Sequence, residues 1–310
     1  MITIAICTYN GAERLPRLVY ELKKQTPHHP FEILIVDNNS ADNTPIVIKQ
    51  LKEEVGSGLR SVVEQNQGIP FARNRAIEES LDSDYLFFID DDEVPHPGWI
   101  ASACNVFEKL SVKCVGGRIR CRFEPYDKPE WLNKDLLAFL GEIDHGESDF
   151  YISDTRHPIW SGNIAYDTSL FRQNRSYRFD HRYNRKGKGV GGGSDGVMFR
   201  QFIDHGVSMA YCPGMVIDHY IEPWKLKQSY FYRLHFIAGR KFGQYQTRNY
   251  PNELMGVPFF MVKQAMDQLK TSVLSHLHKE EGRVRKTMNF FYSAGMVYGR
   301  ILRRFQGENY

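Results

Sequence analysis

The sequence predicts an α/β fold, a mostly parallel sheet with covering helices, followed by a helical C-terminal extension. Three observations predict it. Over the first 120 residues, short apolar, β-rich runs alternate with helical patterns, an order that builds parallel strands joined by crossover helices. The polar clusters fall just after the apolar runs, where such sheets bind ligands. From Trp224 onward, aromatic and basic residues alternate over helical stretches instead.

Ile2 to Cys7 is a continuous apolar run of strand length, and Leu15, Leu18, Val19 and Leu22 then recur at helical spacing, with Pro16 tolerated in a first turn. Phe31 to Val36 predicts the second strand, and Thr44-Pro45 opens the next helix. Leu59 to Glu64 reads as the third strand and Ala72 to Leu81 as a helix. Tyr85 to Ile89 is the fourth strand, apolar throughout as in a strand covered on both faces. After Cys121 the pattern loosens around Pro125, Pro129, Trp131 and Pro158. It recovers with a helix over Val197 to Ile203 and strands over Val207 to Tyr211 and Met215 to Ile217. The expected organisation is a ligand-binding and catalytic domain over residues 1–223 and a basic, aromatic-rich helical extension over 224–310.

Composition narrows the class. The 310 residues are 42% hydrophobic and 25% charged, enough to build a core and unlike a disordered chain. The 40 basic and 37 acidic side chains nearly balance, but residues 1–223 carry 25 basic against 32 acidic, and 224–310 carry 15 against 5. No apolar run approaches the roughly 18 residues of a membrane span. The start, Met1-Ile2-Thr3-Ile4, lacks the features of a secretory signal, so a cytosolic location is expected. Five scattered cysteines without a C-x-x-C pair predict neither a disulfide framework nor a zinc knuckle.

Three strand ends carry Thr8-Tyr9-Asn10, Asp37-Asn38-Asn39 and Asp90-Asp91-Asp92. The first offers only Gly11, which argues against a G-x-G-x-x-G dinucleotide site, and no G-x-x-x-x-G-K-[S/T] phosphate loop occurs. The aspartate triplet is the strongest local signal. Adjacent carboxylates at the end of a buried strand repel one another unless a cation or donor groups compensate. On a strand Asp90 and Asp92 point the same way, so the two carboxylates could share Mg²⁺ or Mn²⁺; a solvated acidic turn is the alternative.

In order and spacing, Ile6-Cys7-Thr8-Tyr9-Asn10, Val36-Asp37-Asn38-Asn39-Ser40, Asn66-Gln67-Gly68 with Ala72-Arg73-Asn74, and Phe88-Ile89-Asp90-Asp91-Asp92 resemble glycosyltransferase family 2. Trp160-Ser161-Gly162-Asn163, Gly193-Ser194-Asp195 and Val216-Ile217-Asp218-His219 extend the resemblance over roughly residues 1–240. It implies a GT-A fold and a nucleotide-sugar donor.

The resemblance also implies roles. Thr8, Tyr9 and Asn10 would line the base and ribose pocket, Asp37 would accept a hydrogen bond from the base, and Asn39, Gly68 and Arg73 would lie beside the nucleotide. Asp90 and Asp91 would reach the ribose and its surroundings, with Asp92 the principal ligand of Mn²⁺ or Mg²⁺, joined by His219 and by Asp90. Gly117, Trp160, Gly162, Asn163 and Ser194 would border the sugar and the acceptor. Ser194 stands where the family commonly has Glu. Asp195 would be the base that removes the acceptor hydroxyl proton; helix capping is its other reading. Arg73 could also pair with Glu78 or Glu79 on its own helix, and Asp37 could form a turn with its neighbours. The segment from Arg182 to Gly193, with four basic side chains and five glycines, reads as a lid over the donor diphosphate or as a solvated loop.

The expected function is therefore metal-dependent, inverting transfer of a sugar from a nucleotide sugar, a UDP-sugar first, to a saccharide or lipid-linked acceptor. A non-catalytic nucleotide-sugar-binding subunit and a nucleotidyltransferase are the competing classes. Basic residues with interleaved aromatics in 251–310 suggest contact with an anionic membrane surface from the cytoplasmic side, or a solvated helical pair. No nucleic-acid partner is expected.

Overall fold

In the computed structural model, which describes residues 1–185 and 189–306, strand β1 (Ile2–Thr8) is buried at every position. The reason is its place in the sheet. It pairs in parallel with β2 (Phe31–Asp37) from Ile2↔Phe31 to Thr8↔Asp37, and with β4 (Tyr85–Asp90) from Ile2↔Tyr85 to Cys7↔Asp90. β3 (Leu59–Val63) adds in parallel to β2. The three polar strand ends thus meet at one edge of the sheet.

Beyond β4 the sheet becomes mixed. β8 (Asn163–Asp167) runs antiparallel to both β4 and β6 (Cys114–Arg122). β9 (Met209–Tyr220) is parallel to β6 and antiparallel to β5 (Glu93–Pro95) and β7 (Phe150–Ile152). The path is β3-β2-β1-β4-β8-β6-β9-β5. The two strands expected at Val207–Tyr211 and Met215–Ile217 are one, because the pairing slips between Gly117 and Arg118: Gly117 faces Cys212 and Arg118 faces Val216. The extra residues around Pro213-Gly214 are absorbed as a bulge.

Helices α1 (Leu15–Lys23), α2 (Thr44–Val55), α3 (Ile69–Glu79) and α4 (Trp99–Leu110) cover this sheet. Leu15, Leu18, Val19 and Leu22 are the buried stripe of α1, as the spacing predicts. Short helix α6 (Ser169–Gln173) follows β8, and α7 (Ser194–Asp204) begins at the Ser-Asp pair. All five cysteines are free.

The described residues fall into two compact units, one within Met1–Glu124, Gly141–Gly187 and Ser194–Ile221, the other within Pro125–Leu140, Lys188–Gly193 and Glu222–Tyr310. In the second, α5 (Lys134–Leu137) and its surroundings pack on α8 (Gln228–Tyr245): Trp131 meets Phe231 and Phe139 meets His235, ring edge to ring face. The short strands β10 (Glu253–Leu254) and β11 (Val257–Pro258) lead into α9 (Phe259–Leu277) and α10 (Arg283–Gln306). Helices α8 and α10 run in the same direction and touch through their backbones. A Cβ on Gly239 would lie 2.0 Å from the Tyr292 carbonyl oxygen and one on Gly243 2.3 Å from that of Met296. Reciprocally, a Cβ on Gly295 would lie 2.1 Å from the Phe236 carbonyl and one on Gly299 2.0 Å from that of Arg240. Two G-x-x-x-G pairs therefore interlock, an arrangement that small residues permit and larger ones forbid.

Candidate active site

Thr8, Asp37 and Asp90 end adjacent parallel strands, so the backbone alone brings them together. The loops after them are cross-linked. Asn10 and Asn39 adopt left-handed backbone (φ 52° and 58°), a conformation asparagine tolerates better than most residues. The Asn10 side-chain oxygen accepts the Ala41 amide at 2.9 Å, and Asp37 Oδ1 accepts the Ser40 amide at 3.0 Å. Asp37 therefore does form a turn with its neighbours, and it is buried. Asn38 donates to the Glu64 and Asn66 carbonyls and accepts the Gly68 amide at 2.6 Å, tying the second loop to the start of α3. Gly68 has φ 139°, and a Cβ there would overlap Asn184. The Asn184 side-chain amide donates to the Gln67 carbonyl at 2.9 Å.

The aspartate triplet is divided among three environments. β4 stops at Asp90, and Asp91 and Asp92 form a turn, so the alternation that would face Asp90 and Asp92 alike does not continue. Asp90 instead accepts a hydrogen bond from one terminal nitrogen of Arg73 at 2.9 Å. Asp91 accepts two from Arg14, at 3.1 and 3.0 Å, and another from the Thr8 hydroxyl. Burial still lifts its carboxyl above the usual carboxylate range, against the pull of Arg14. Asp92 Oδ2 lies 3.4 Å from His219 Nε2.

That last pair is the part of the site that fits a divalent cation. Cis donors on an octahedral ion with bonds of about 2.1 Å lie roughly 3 Å apart, close to the spacing seen. Among the described residues no three His, Cys, Asp or Glu side chains converge on a common point. A cation here would be held from the protein by Asp92 and His219, with its other ligands coming from outside these side chains. Asp90, placed with the metal ligands by the resemblance, is turned to Arg73.

Arg73 is the centre of the arrangement. Its guanidinium is buried and spans two carboxylates, one terminal nitrogen on Asp90 and the other on Asp195 Oδ1 at 2.6 Å. It does not pair with Glu78 or Glu79: Arg178 takes the first, and Arg60 and Arg75 the second. Phe179 lies under the guanidinium with its ring centroid 5.5 Å away. Asp195 sits in the first turn of α7 with about a quarter of its side chain exposed, where the helix dipole favours negative charge. Behind it is a cavity about the size of one water molecule, lined by Ser161, Tyr166, Phe199 and Phe202 among others.

The residues expected to border sugar and acceptor are divided. Trp160 is half-buried against the core beside the start of α7, where a Cβ on Gly196 would come within 4.0 Å of its ring. Asn163 is fully buried. Its oxygen accepts the Trp99 indole N–H at 2.7 Å, and its NH₂ donates to the Arg118 and Met215 carbonyls at 2.9 and 2.8 Å, leaving no group for an acceptor. Gly117 lies inside β6, where a Cβ would meet the Met215 carbonyl at 2.0 Å, so its role is close strand packing. Gly162 makes room for Glu93, whose Oε1 would lie 2.4 Å from a Cβ there, and Ser194 is buried at the start of α7. The middle of the expected lid, residues 186–188, lies outside the described residues.

Two contributors were not visible in the sequence. Glu93 is buried, and its Oε2 accepts the Asp90 amide at 2.8 Å, closing the turn that carries the triplet. Burial, with Asp90 and Asp92 nearby, pushes its carboxyl well above the ordinary range. Arg14 is the partner of Asp91. A fourth acid following the triplet was the available signal for Glu93; nothing local announced Arg14.

The profile of glycosyl transferase family 2 matches residues 3–208. The chain is 30% identical over 119 residues to glycosyltransferase AglE of Haloferax volcanii, a match covering 38% of this chain and 39% of that protein. Hence the similarity spans about two fifths of that relative's length. Among solved structures, the mannosyltransferase PcManGT of Pyrobaculum calidifontis in complex with GDP-Man and Mn²⁺ superposes with a TM-score of 0.59 at 17% identity, over 96% of this chain and 86% of that one. S. aureus TarS 1–349 in complex with UDP-GlcNAc gives 0.55 at 13% identity, over 95% and 90%. These likenesses show a shared fold.

Proposed function

This chain belongs to glycosyl transferase family 2, and from that membership and the geometry of its carboxylates we propose that it transfers a sugar from a nucleotide-sugar donor to an acceptor hydroxyl with inversion at the anomeric carbon. The observation that carries the reading is Arg73, which joins the strand end assigned to the donor, at Asp90, to the first turn of α7, at Asp195. Donor and base are thereby held in one frame.

In this reading Thr8, Tyr9, Asn10 and Asp37, with Asn39 and Gly68, form the nucleotide pocket, for a UDP-sugar first. The donors named for the two similar structures, a GDP- and a UDP-sugar, are of the same class. Asp195 removes the acceptor hydroxyl proton as that oxygen bonds to the anomeric carbon. The bond to the diphosphate breaks on the opposite face, and its electron pair leaves with the nucleoside diphosphate. Asp92 and His219 would hold Mn²⁺ or Mg²⁺, which supplies charge compensation for the departing diphosphate. Arg73 is a positioning residue, since its guanidinium is buried on the two aspartates. Trp160 offers the acceptor an aromatic face beside Asp195, and the acceptor is a saccharide, free or lipid-linked.

The test is Asp195→Asn in the full chain, assayed with Mn²⁺ and a panel of nucleotide sugars. Nucleoside diphosphate release should fall by about 10² to 10⁴-fold, with nucleotide affinity by calorimetry unchanged. Undiminished turnover would remove Asp195 as the base. Tight nucleotide binding by the unsubstituted chain with no turnover on any donor would instead favour a non-catalytic nucleotide-sugar-binding subunit.

A further inference from the structure

Helix α9 is inside out for a helix at a protein surface. The residues it buries include Ser272 and Ser275, with the Ser272 hydroxyl 2.7 Å from that of Thr287 on α10 and His276 Nε2 3.0 Å from the same oxygen. The opposite face repeats Phe259, Val262, Met266, Leu269, Val273 and Leu277 at helical spacing, and all are exposed, Met266 by 66% and Leu277 by 71%. A surface helix ordinarily buries its apolar stripe, and a contiguous exposed apolar face rimmed by polar groups marks a contact surface.

The charges on that face select the partner. Lys263 lies one turn from both Phe259 and Met266, and Lys270 one turn from both Met266 and Val273, so two exposed ammonium groups stand within the apolar file. Asp267 is the single acid on the helix. Packed on a second copy of itself, the face would bury lysines against apolar side chains with too few acids to pair them. A bilayer interface accommodates both: the apolar side chains enter the acyl boundary, and the lysine stems run along them to reach the headgroup phosphates. The 15 basic against 5 acidic residues of 224–310 add attraction to anionic lipid.

We propose that the outward face of α9 docks on an anionic lipid surface, the helix lying in the plane of the interface. No helix among the described residues is long and apolar enough to cross a membrane. The contact is narrower than the basic clusters of the tail suggest. Arg300 is buried, donating to the Gly256 and Arg248 carbonyls and pairing with Glu253, and Arg303 donates to the Thr247 carbonyl, so these residues hold the helical unit together.

Co-sedimentation of the full chain with vesicles, without donor or acceptor, tests the docking independently of the transfer reading. Vesicles of phosphatidylglycerol and phosphatidylcholine should bind the chain, and phosphatidylcholine alone should bind it about tenfold more weakly or less. Met266→Asp with Val273→Asp should weaken binding to the mixed vesicles at least about tenfold, as should Lys263→Glu with Lys270→Glu, while circular dichroism stays unchanged. The proposal is overturned if the mixed vesicles do not bind at low salt or if the aspartate variant binds as well as the parent. It is also overturned if lipid-free chain sediments as a dimer that Met266→Asp dissociates, since the face would then belong to a second copy.

Discussion

The edge of the sheet that carries the aspartates and the outer face of α9 depart from the usual distribution of side chains in opposite directions. At the sheet edge, ionisable groups are drawn inward and given hydrogen-bond partners: Arg73 between Asp90 and Asp195, Arg14 on Asp91, Glu93 on the Asp90 amide. On α9, apolar groups are turned outward and none of the described residues covers them. The contrast teaches how each region relates to its ligand. Buried charge is costly unless paired, so a site that must offer carboxylates at fixed positions brackets them with guanidinium and hydroxyl donors. Exposed apolar surface forgoes the stabilisation that burial brings, and docking recovers it by displacing water, so a docking face can be built from an ordinary helix by rotating its stripe away from the core.

Breaking the bracket should have the largest effect. Arg73→Ala leaves two carboxylates without their common partner and is expected to cost about 3–5 kcal/mol of stability, read from urea unfolding, and to lower kcat more than it raises KM for the donor. Arg73→Lys, which can reach one aspartate but not span both, should recover stability more than kcat. Equal losses in both variants would mean that bridging is not the role of Arg73.

The helical unit should be most sensitive where its backbones touch, away from α9's outer face. Gly239→Ala places a methyl 2.0 Å from the Tyr292 carbonyl and should destabilise by about 3 kcal/mol. Gly282→Ala, with nothing within 4 Å of the added carbon, should leave the melting temperature within a degree or two. A comparable loss at both glycines would discount the interlocked pairs.

A smaller effect should appear with pH. His235 donates from Nδ1 to the Phe231 carbonyl at 2.9 Å and faces the Phe139 ring and the Arg285 guanidinium. Burial holds its imidazole down at about 4. With an ordinary value near 6.5 in the unfolded chain, stability is complete above that pH. It declines as pH falls toward 4, because the unfolded chain takes up a proton that the folded one refuses. The loss should reach about 2 kcal/mol near pH 5. His235→Phe should flatten this part of the profile; an unchanged slope would assign the acid sensitivity elsewhere.

The first four strands and the residues at their ends were legible because local patterns and chain order suffice there. An apolar run of strand length followed by a polar cluster puts Thr8, Asp37 and Asp90 at adjacent strand ends as soon as the strands pair in parallel. Family motifs brought Asp195 and His219 into the same picture, and His219 does lie beside Asp92. The direction of Asp90, the burial of Asn163 and the true setting of Gly117 were not legible. Each depends on a partner more than 15 residues away: Arg73 for Asp90, Trp99 and the Met215 carbonyl for Asn163, and the carbonyl opposite a slipped register for Gly117.

The sequence by itself determined the class of fold, the positions of the strand-end carboxylates and the positive bias of the tail, since these follow from periodicity, order and composition. Only the tertiary structure decided which carboxylate meets a guanidinium and which meets a histidine. It also decided that Arg300 and Arg303 of α10 hold the helical unit while the apolar face of α9 looks outward. The physical reason is that hydrogen bonds and burial depend on what the folded chain brings within a few ångströms, and spacing along the chain does not encode that distance.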